Sequence, residues 1–109
     1  MSQEKLATIA AQQGICTDGN HGAVVPPLYL STNYTFEEFG KKREYDYSRS
    51  GNPTRATLAD TLAQLEGGAG AVVTATGMAA ATLCTALLSP EDLLVVPHDC
   101  YGGCYRLFT

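Results

Sequence analysis

The sequence predicts an α/β fold, and three patterns along the chain support this prediction. Two short runs, residues 71–74 and 93–96, have the continuous apolar character of strands that are covered on both faces. Between them, residues 78–88 form an Ala-rich segment that suits a helix. Because strand, helix and strand follow one another in this order, we predict a right-handed βαβ unit of a parallel sheet.

The N-terminal part is predicted to be a short helix followed by a long extended arm. Residues 2–13 suit a helix, because Ser2 can act as its N-cap and Gly14 can end it. Beyond this helix, Gly, Pro and Asn replace any periodic pattern, and a connection of this length is unusual inside a compact domain. We therefore expect residues 14–52 to be an arm with little core of its own, which packs on another polypeptide surface.

A second helix is delimited by clear signals at both ends. Asn52 is a favourable N-cap, Pro53 suits the first helical position, and Gly67 provides a stop. Residues 100–109 suit a loop that enters a further helix, and no Gly, Pro or basic cap closes that helix. We therefore expect the chain to be the beginning of a longer polypeptide.

The composition excludes several classes of function. The formal net charge of the 109 residues is −4 and the cations are scattered, which argues against a nucleic-acid partner. No apolar run is long enough to span a bilayer, and the N-terminus lacks the layout of a secretory signal. We therefore expect a cytoplasmic protein whose cysteines are reduced thiols.

A candidate anion site lies where residues 71–74 give way to the Ala-rich helix. The backbone N–H groups of Gly77 and Met78 are predicted to be unpaired at the helix N-terminus, and the helix dipole adds positive potential there. Such a corner commonly binds phosphate. Many similar corners hold only water, so the motif by itself leaves both interpretations open.

A second candidate segment precedes the helix that begins after Asn52. Tyr47 and Arg49 bring a phenol and a guanidinium close together, and both groups can donate hydrogen bonds to a phosphate. The alternative is an ordinary surface turn followed by a capped helix.

A third candidate segment follows the second apolar run. Tyr101 precedes two glycines, so its ring face can be open for stacking on a flat heterocycle. Zinc is the alternative ligand, but a structural zinc site needs a full set of closely paired ligands, and the spacing here is poor. We therefore predict no metal site, although this alternative names Cys16, His21, His98, Cys100 and Cys104.

Together these segments resemble the Cys/Met-metabolism family of pyridoxal-phosphate enzymes, and the resemblance runs nearly end to end. It depends on the strings Val24-Val25-Pro26-Pro27, Asp46-Tyr47-Ser48-Arg49, Gly51-Asn52-Pro53-Thr54-Arg55, Leu65-Glu66-Gly67-Gly68, Thr76-Gly77-Met78 and Asp99-Cys100-Tyr101-Gly102-Gly103. The resemblance implies fold type I, the fold of aspartate aminotransferase. In that fold, residues 1–52 would be an arm that contacts a neighbouring subunit, and residues 53–109 would be the start of a truncated large domain that binds the cofactor.

The resemblance also implies how the cofactor, pyridoxal 5'-phosphate, is held. Backbone amides that match Gly77 and Met78 bind its phosphate in the family. A Tyr and an Arg that match Tyr47 and Arg49 reach the same phosphate from the neighbouring subunit. This arrangement would explain an arm that has no core of its own.

Two further roles are implied closer to the reacting atoms. A Tyr that matches Tyr101 stacks on the pyridine ring and assists proton transfer, so it would be catalytic. Arg106 matches a position expected to bind the substrate carboxylate, although a helical Arg can equally be a solvated residue. Some members carry a second Arg where this chain has Ser50, a departure that weakens the case for an anionic substrate.

The implied activity is a γ-replacement that joins an O-acylhomoserine, with O-succinylhomoserine favoured, to L-cysteine and yields cystathionine. Such enzymes act on small amino acids as homotetramers, built as a dimer of dimers. Other members of the family remain alternatives, namely cystathionine γ- and β-lyases, methionine γ-lyase and acylhomoserine sulfhydrylases. The family's cofactor-binding lysine would lie beyond residue 109, so we expect the chain alone to be inactive. A non-catalytic phosphate-binding module is the alternative from another class.

Overall fold

The structure is a computed structural model that describes the backbone of residues 3–109 and the side chains from residue 5 onward. The described residues form four helices: α1 (Gln3–Gln12), α2 (Pro53–Glu66), α3 (Gly77–Thr85) and α4 (Gly102–Phe108). The chain divides into two compact units, Met1–Val72 and Val73–Thr109.

The first unit is organised around the packing of α1 against α2. Gly14 follows α1 with a φ of +77°, a backbone conformation that glycine adopts without strain. A Cβ added at Gly14 would lie 3.1 Å from Cγ2 of Thr57 on α2 and 3.2 Å from Cγ of Pro26. Gly14 therefore ends α1 as predicted and also allows the arm to pass close to α2. The predicted N-cap, Ser2, lies outside the described residues.

Residues 14–52 contain turns and isolated bridges, with no helix. The bridges are antiparallel and pair Asn33 with Tyr47 and Glu38 with Lys41. The backbone amide of Ser48 also donates to the carbonyl of Thr32 at 2.9 Å. These bonds bring residues 46–48 beside residues 32–34, so the arm is folded back on itself.

Both predicted ends of α2 are confirmed. Oδ1 of Asn52 accepts hydrogen bonds from the backbone amides of Thr54 at 2.9 Å and Arg55 at 3.3 Å. At the other end Gly67 has a φ of +65°, and its amide donates to the last carbonyls of the helix. An N-cap of this kind typically contributes about 1 kcal/mol to helix stability.

The structure does not confirm the predicted βαβ unit. Residues 71–74 and 93–96 lie outside helices and strands, and no strand is assigned in residues 3–109. A parallel strand exists only where a neighbouring backbone pairs with it. No backbone hydrogen bond joins either segment to the other or to any other described residue. The helix between them is present as α3, but it ends at Thr85 rather than at residue 88.

No side chain is fully buried among those that the structure describes, so these residues form no closed hydrophobic core. Large apolar side chains face solvent in both units; Leu30 is 92% exposed and Leu93 is 89% exposed. Local hydrogen bonds and helix caps therefore stabilise much of the structure of these residues. No described helix combines the length and the apolar character needed to cross a membrane.

Candidate functional site

Tyr47 and Arg49 form a paired donor group in the first unit. Nη2 of Arg49 donates a hydrogen bond to the phenol oxygen of Tyr47 at 2.8 Å, and Cζ of Arg49 lies 5.2 Å from the centre of the Tyr47 ring. Because the phenol oxygen accepts from the guanidinium, its own O–H remains available to donate elsewhere. Both side chains are exposed, so together they present several donors that suit an anion.

A tight turn carries this pair. The carbonyl of Tyr47 accepts hydrogen bonds from the amides of Ser50 and Gly51, each at 3.0 Å. On the other side of the turn, Oδ1 of Asp46 accepts from the Tyr47 amide at 2.8 Å and from the Ser50 hydroxyl at 2.9 Å. The hydrogen bond from Ser50 is the main cause that holds the pKa of Asp46 below its ordinary value of 3.8. The Tyr47 amide and the charge of Lys42 act in the same direction, and partial desolvation opposes them.

The lowered pKa of Asp46 leads to a prediction for Ser50→Ala. We expect the pKa of Asp46 to rise toward 3.8, because the variant removes the largest stabilisation of the carboxylate. Since folding lowers this pKa, ionised Asp46 stabilises the turn above pH 3.8, and the contribution is lost as the pH falls through the folded-state pKa. An NMR titration of the Asp46 carboxyl measures the change. Ser89→Ala is the matched control, because the Ser89 hydroxyl bonds to Asp92 instead. An unchanged Asp46 pKa in Ser50→Ala would contradict this account.

The side chains of Asn52 and Arg55, at the start of α2, donate hydrogen bonds to this turn. Nη1 and Nη2 of Arg55 donate to the carbonyls of Ser48 and Arg49, at 2.7 and 3.2 Å. Nδ2 of Asn52 donates to Oγ of Ser48 at 3.1 Å. Sequence reasoning recognised Asn52 only as a cap and assigned no role to Arg55. The available signal was the position of Arg55 in the first helical turn, directly after the segment that carries the donor pair.

The α3 N-terminus provides a second donor group, in the second unit. Oγ1 of Thr76 accepts a hydrogen bond from the amide of Ala79 at 3.1 Å and so caps the helix. This cap leaves the amides of Gly77 and Met78 without a partner among the described residues, as expected for the first turn of a helix. The predicted pair of amides is therefore available to an anion at the positive end of the helix dipole.

Tyr101 lies at the start of α4 and is 72% exposed. A Cβ added at Gly103 would lie 2.6 Å from Cε1 of Tyr101 and 2.9 Å from Sδ of Met78. Sδ of Met78 also lies 3.9 Å from Sγ of Cys104. Met78 and Tyr101 therefore both lie against Gly103, which allows the close packing of α3 on α4. Met78 therefore combines a free backbone amide with a side chain that lies against the same glycine as the Tyr101 ring.

Arg106 lies in the last turn of α4. It is exposed and makes no ion pair with any described residue. A cation in the last turn interacts favourably with the helix dipole, which accounts for its position without a ligand. The same exposure leaves its guanidinium free to bind a carboxylate.

The close contacts of Gly103 lead to a second prediction. We expect Gly103→Ala to displace the Tyr101 ring or the Met78 thioether, because the added Cβ overlaps both. The matched control is Gly102→Ala, whose Cβ would meet only Nη1 of Arg106 at an ordinary 3.7 Å. Since Tyr101 is exposed and can move, the cost relative to the control should be about 1 kcal/mol, the low end for overpacking. NMR resonances of the Tyr101 ring report the displacement, and equal spectra for the two variants would contradict the prediction.

No group of three or more His, Cys, Asp or Glu side chains within the described part of the chain is placed to hold a metal ion. All four cysteines are free thiols.

The three lysines of the chain lie in open surroundings. Nζ of Lys41 pairs with Oε2 of Glu37 at 2.8 Å, and Nζ of Lys42 lies 3.8 Å from Oδ2 of Asp46. Both side chains are more than half exposed, and Lys5 is also exposed. None of the three is desolvated in an apolar pocket, the setting that activates a lysine as a nucleophile.

The sequence-predicted site residues thus fall into two groups. Tyr47 and Arg49 lie in the first unit, whereas Gly77, Met78, Tyr101 and Arg106 lie in the second. Within the second unit, Met78 and Tyr101 both lie against Gly103 where α3 packs on α4.

Comparisons with known proteins identify the family. The model of the family described as Cys/Met metabolism PLP-dependent enzyme matches residues 7–109. The chain is 58% identical over 105 residues to cystathionine gamma-synthase of Escherichia coli strain K12, covering 95% of this chain and 27% of that protein. It is 44% identical over 108 residues to the cystathionine gamma-synthase/O-acetylhomoserine (thiol)-lyase of Bacillus subtilis strain 168, covering 99% of this chain and 29% of that protein.

A solved structure gives the same result. The crystal structure of cystathionine gamma synthase from Xanthomonas oryzae pv. oryzae, in complex with aminoacrylate and cysteine, matches with a TM-score of 0.86 and 58% identity. The match covers 94% of this chain and 27% of that one, so the chain spans about a quarter of the length of its relatives. These structural relatives are fold type I enzymes, which confirms the predicted relationship but not the predicted strands. The chain therefore belongs to the family of pyridoxal-phosphate-dependent enzymes of cysteine and methionine metabolism.

Proposed function

We propose that this chain supplies part of the cofactor site of an enzyme that replaces the acyloxy group of an O-acylhomoserine by the thiol of cysteine, which is cystathionine gamma-synthase activity. The observation that carries the proposal is the 58% identity to the E. coli synthase over 95% of the chain. Cystathionine beta-lyases match at lower identity, with 40% for the Lactococcus lactis enzyme. The transsulfuration chemistry of cysteine and methionine is common to these relatives. We favour O-succinylhomoserine as the substrate.

The residues present fit pyridoxal 5'-phosphate. A doubly charged phosphate needs several donors, and the structure offers two free amides at the α3 N-terminus together with the Tyr47–Arg49 pair. We propose that Gly77 and Met78 bind the phosphate through their amides. Tyr47 and Arg49 of a neighbouring subunit would complete its coordination. When bound, the cofactor supplies an electron sink for carbanions at the substrate.

Other residues of the second unit would act beside the cofactor ring. The exposed face of Tyr101 supports a stacking role, and its phenol oxygen could hold and release a proton during the reaction. Arg106 is free of ion pairs with the described residues, which supports a role in binding a substrate carboxylate.

The proposal includes a homotetramer, built as a dimer of dimers, in the cytoplasm. The exposed apolar side chains of the arm support contact with a second subunit, since Leu28 is 76% and Leu30 is 92% exposed. In this arrangement residues 1–52 form the contacting arm, and residues 53–109 begin the domain that binds the cofactor.

A cystathionine beta-lyase is the second candidate, favoured by the 46% identity to the Bacillus subtilis enzyme over 96 residues. The experiment that separates the candidates uses the full-length protein. It is supplied with O-succinylhomoserine and cysteine in one assay and with cystathionine in another, and the products are identified by mass spectrometry. Formation of cystathionine in the first assay supports the synthase. Release of homocysteine in the second assay, without cystathionine formation in the first, supports the beta-lyase, whereas release of cysteine would indicate a gamma-lyase. Absence of both reactions would contradict both candidates.

A further inference from the structure

We propose that Arg55 is a positioning residue, which holds the Tyr47–Arg49 pair in the conformation that receives an anionic phosphate. This inference rests on the proposed function, because that function assigns the pair to the cofactor phosphate. It adds a residue of α2 that does not itself have to touch the cofactor.

Arg55 binds two consecutive carbonyls of the turn that carries the pair. Its Nη1 lies 2.7 Å from the Ser48 oxygen and its Nη2 lies 3.2 Å from the Arg49 oxygen. The guanidinium is a rigid planar fork, so engaging both carbonyls fixes the direction of the chain between them. Arg55 is half-buried and makes no ion pair with a described carboxylate. The polar interactions of its side chain with the described residues are therefore its hydrogen bonds to the turn.

The two hydrogen bonds from Arg55 form a clamp on the turn, and the start of α2 holds Arg55 in place. Arg55 lies in the first turn of α2, where its own amide is capped by Oδ1 of Asn52. Nδ2 of Asn52 reaches Oγ of Ser48 at 3.1 Å and the carbonyl of Tyr29 at 3.0 Å. The turn is thus tied to the helix through side chains at two positions, and a shift of either would move the backbone of Arg49.

The pair needs such support because it is exposed. Arg49 has one side-chain partner among the described residues, the phenol of Tyr47. An exposed arginine has many accessible rotamers, and ordering them on binding weakens affinity. Fixing the backbone at Arg49 reduces the number of conformations that must be lost. A competing explanation is that the positive charge of Arg55 attracts the phosphate from a distance.

The test measures pyridoxal 5'-phosphate affinity of the full-length enzyme by equilibrium dialysis. The variants are Arg55→Gln, Arg55→Lys, Arg49→Ala and the double variant Arg49→Ala with Arg55→Gln. Arg43→Gln is the matched control, since Arg43 is an exposed arginine of the same unit without a hydrogen bond or ion pair to described residues. We expect Arg55→Gln to weaken binding about tenfold, and the two losses to combine in the double variant to clearly less than their product, because Arg55 acts through the turn that carries Tyr47 and Arg49.

The lysine variant separates positioning from charge. Arg55→Lys keeps the positive charge but loses the fork, so we expect a loss of affinity similar to that of Arg55→Gln. It also carries the test if Arg55→Gln fails to fold. Retention of full affinity by Arg55→Lys, or losses that multiply in the double variant, would overturn the inference.

A readout without cofactor separates this inference from the proposed function. In the apo-protein, the amides of Ser50 and Gly51 bond to the Tyr47 carbonyl within the clamped turn. We expect both to exchange with solvent deuterium faster in Arg55→Lys than in Arg43→Gln. Equal exchange would overturn the positioning role whatever the cofactor does. A different result is faster exchange in Arg55→Lys together with unchanged cofactor affinity in Arg49→Ala. In that case Arg55 does order the turn, but Arg49 does not bind the phosphate, so the proposed function fails at this residue.

Discussion

The 109-residue chain, produced alone, is expected to form no specific covalent adduct with pyridoxal 5'-phosphate and to turn over no O-acylhomoserine. The physical reason is the setting of its lysines. Lys41 and Lys42 are solvated and lie beside carboxylates, and Lys5 is exposed. A lysine that attacks a carbonyl readily is instead desolvated or placed beside another cation. The expected loss of activity is complete, which makes this the largest effect that we predict.

Borohydride reduction followed by mass spectrometry measures the adduct. Because any exposed lysine reacts slowly with an aldehyde, the control is the same chain unfolded in urea and treated with the same concentration of pyridoxal 5'-phosphate. A specific site would be labelled once per chain in the folded protein only, whereas incidental labelling would be low, spread over several lysines and similar in both samples. Stoichiometric labelling of one lysine that depends on folding would contradict the prediction, and so would cystathionine formation by the isolated chain.

Arg49→Ala in the full-length enzyme is expected to weaken cofactor binding by about 1.5–3 kcal/mol, the usual range for a hydrogen bond that involves a charged group. This range corresponds to roughly 10- to 150-fold in dissociation constant. Two causes act together in the variant. In the proposed site the phosphate would lose a guanidinium, and Tyr47 loses the hydrogen bond and the ring contact that orient its phenol.

The comparison with Arg43→Ala shows whether the position or only the charge matters. Both variants remove one exposed arginine from the first unit, so a general electrostatic effect on an anionic cofactor would appear in both. Equilibrium dialysis should show a large loss for Arg49→Ala and little change for Arg43→Ala. If cofactor affinity is unchanged in Arg49→Ala, then Arg49 does not belong to the phosphate site.

The features that sequence predicted correctly depend on short stretches of chain. The cap at Asn52 and the left-handed Gly67 are set by residues within one helical turn, so their types are sufficient to locate the ends of α2. The same holds for Gly77 and Met78, because any helix leaves its first amides unpaired. The pattern did not reveal that Thr76 would cap Ala79 and so leave those two amides open.

The features that sequence did not predict depend on pairing across distance. Residues 71–74 and 93–96 have the composition of strands, but a strand also requires a partner, and composition does not supply one. The contact of Arg55 with the carbonyls of Ser48 and Arg49 depends on the shape of the turn between them. Propensities describe each residue separately and therefore contain no information on such a contact.

The two unpaired apolar segments have unequal consequences for the behaviour of the chain in concentrated solution. A β-prone stretch with free backbone groups can recruit identical molecules and seed fibrils. Residues 93–96 are preceded by Glu91 and Asp92 and followed by Pro97. Flanking charges and prolines oppose such stacking, so this stretch is protected from aggregation. The stretch at 71–74 has only small and uncharged neighbours on both sides. Fibril growth of the isolated chain should therefore begin there.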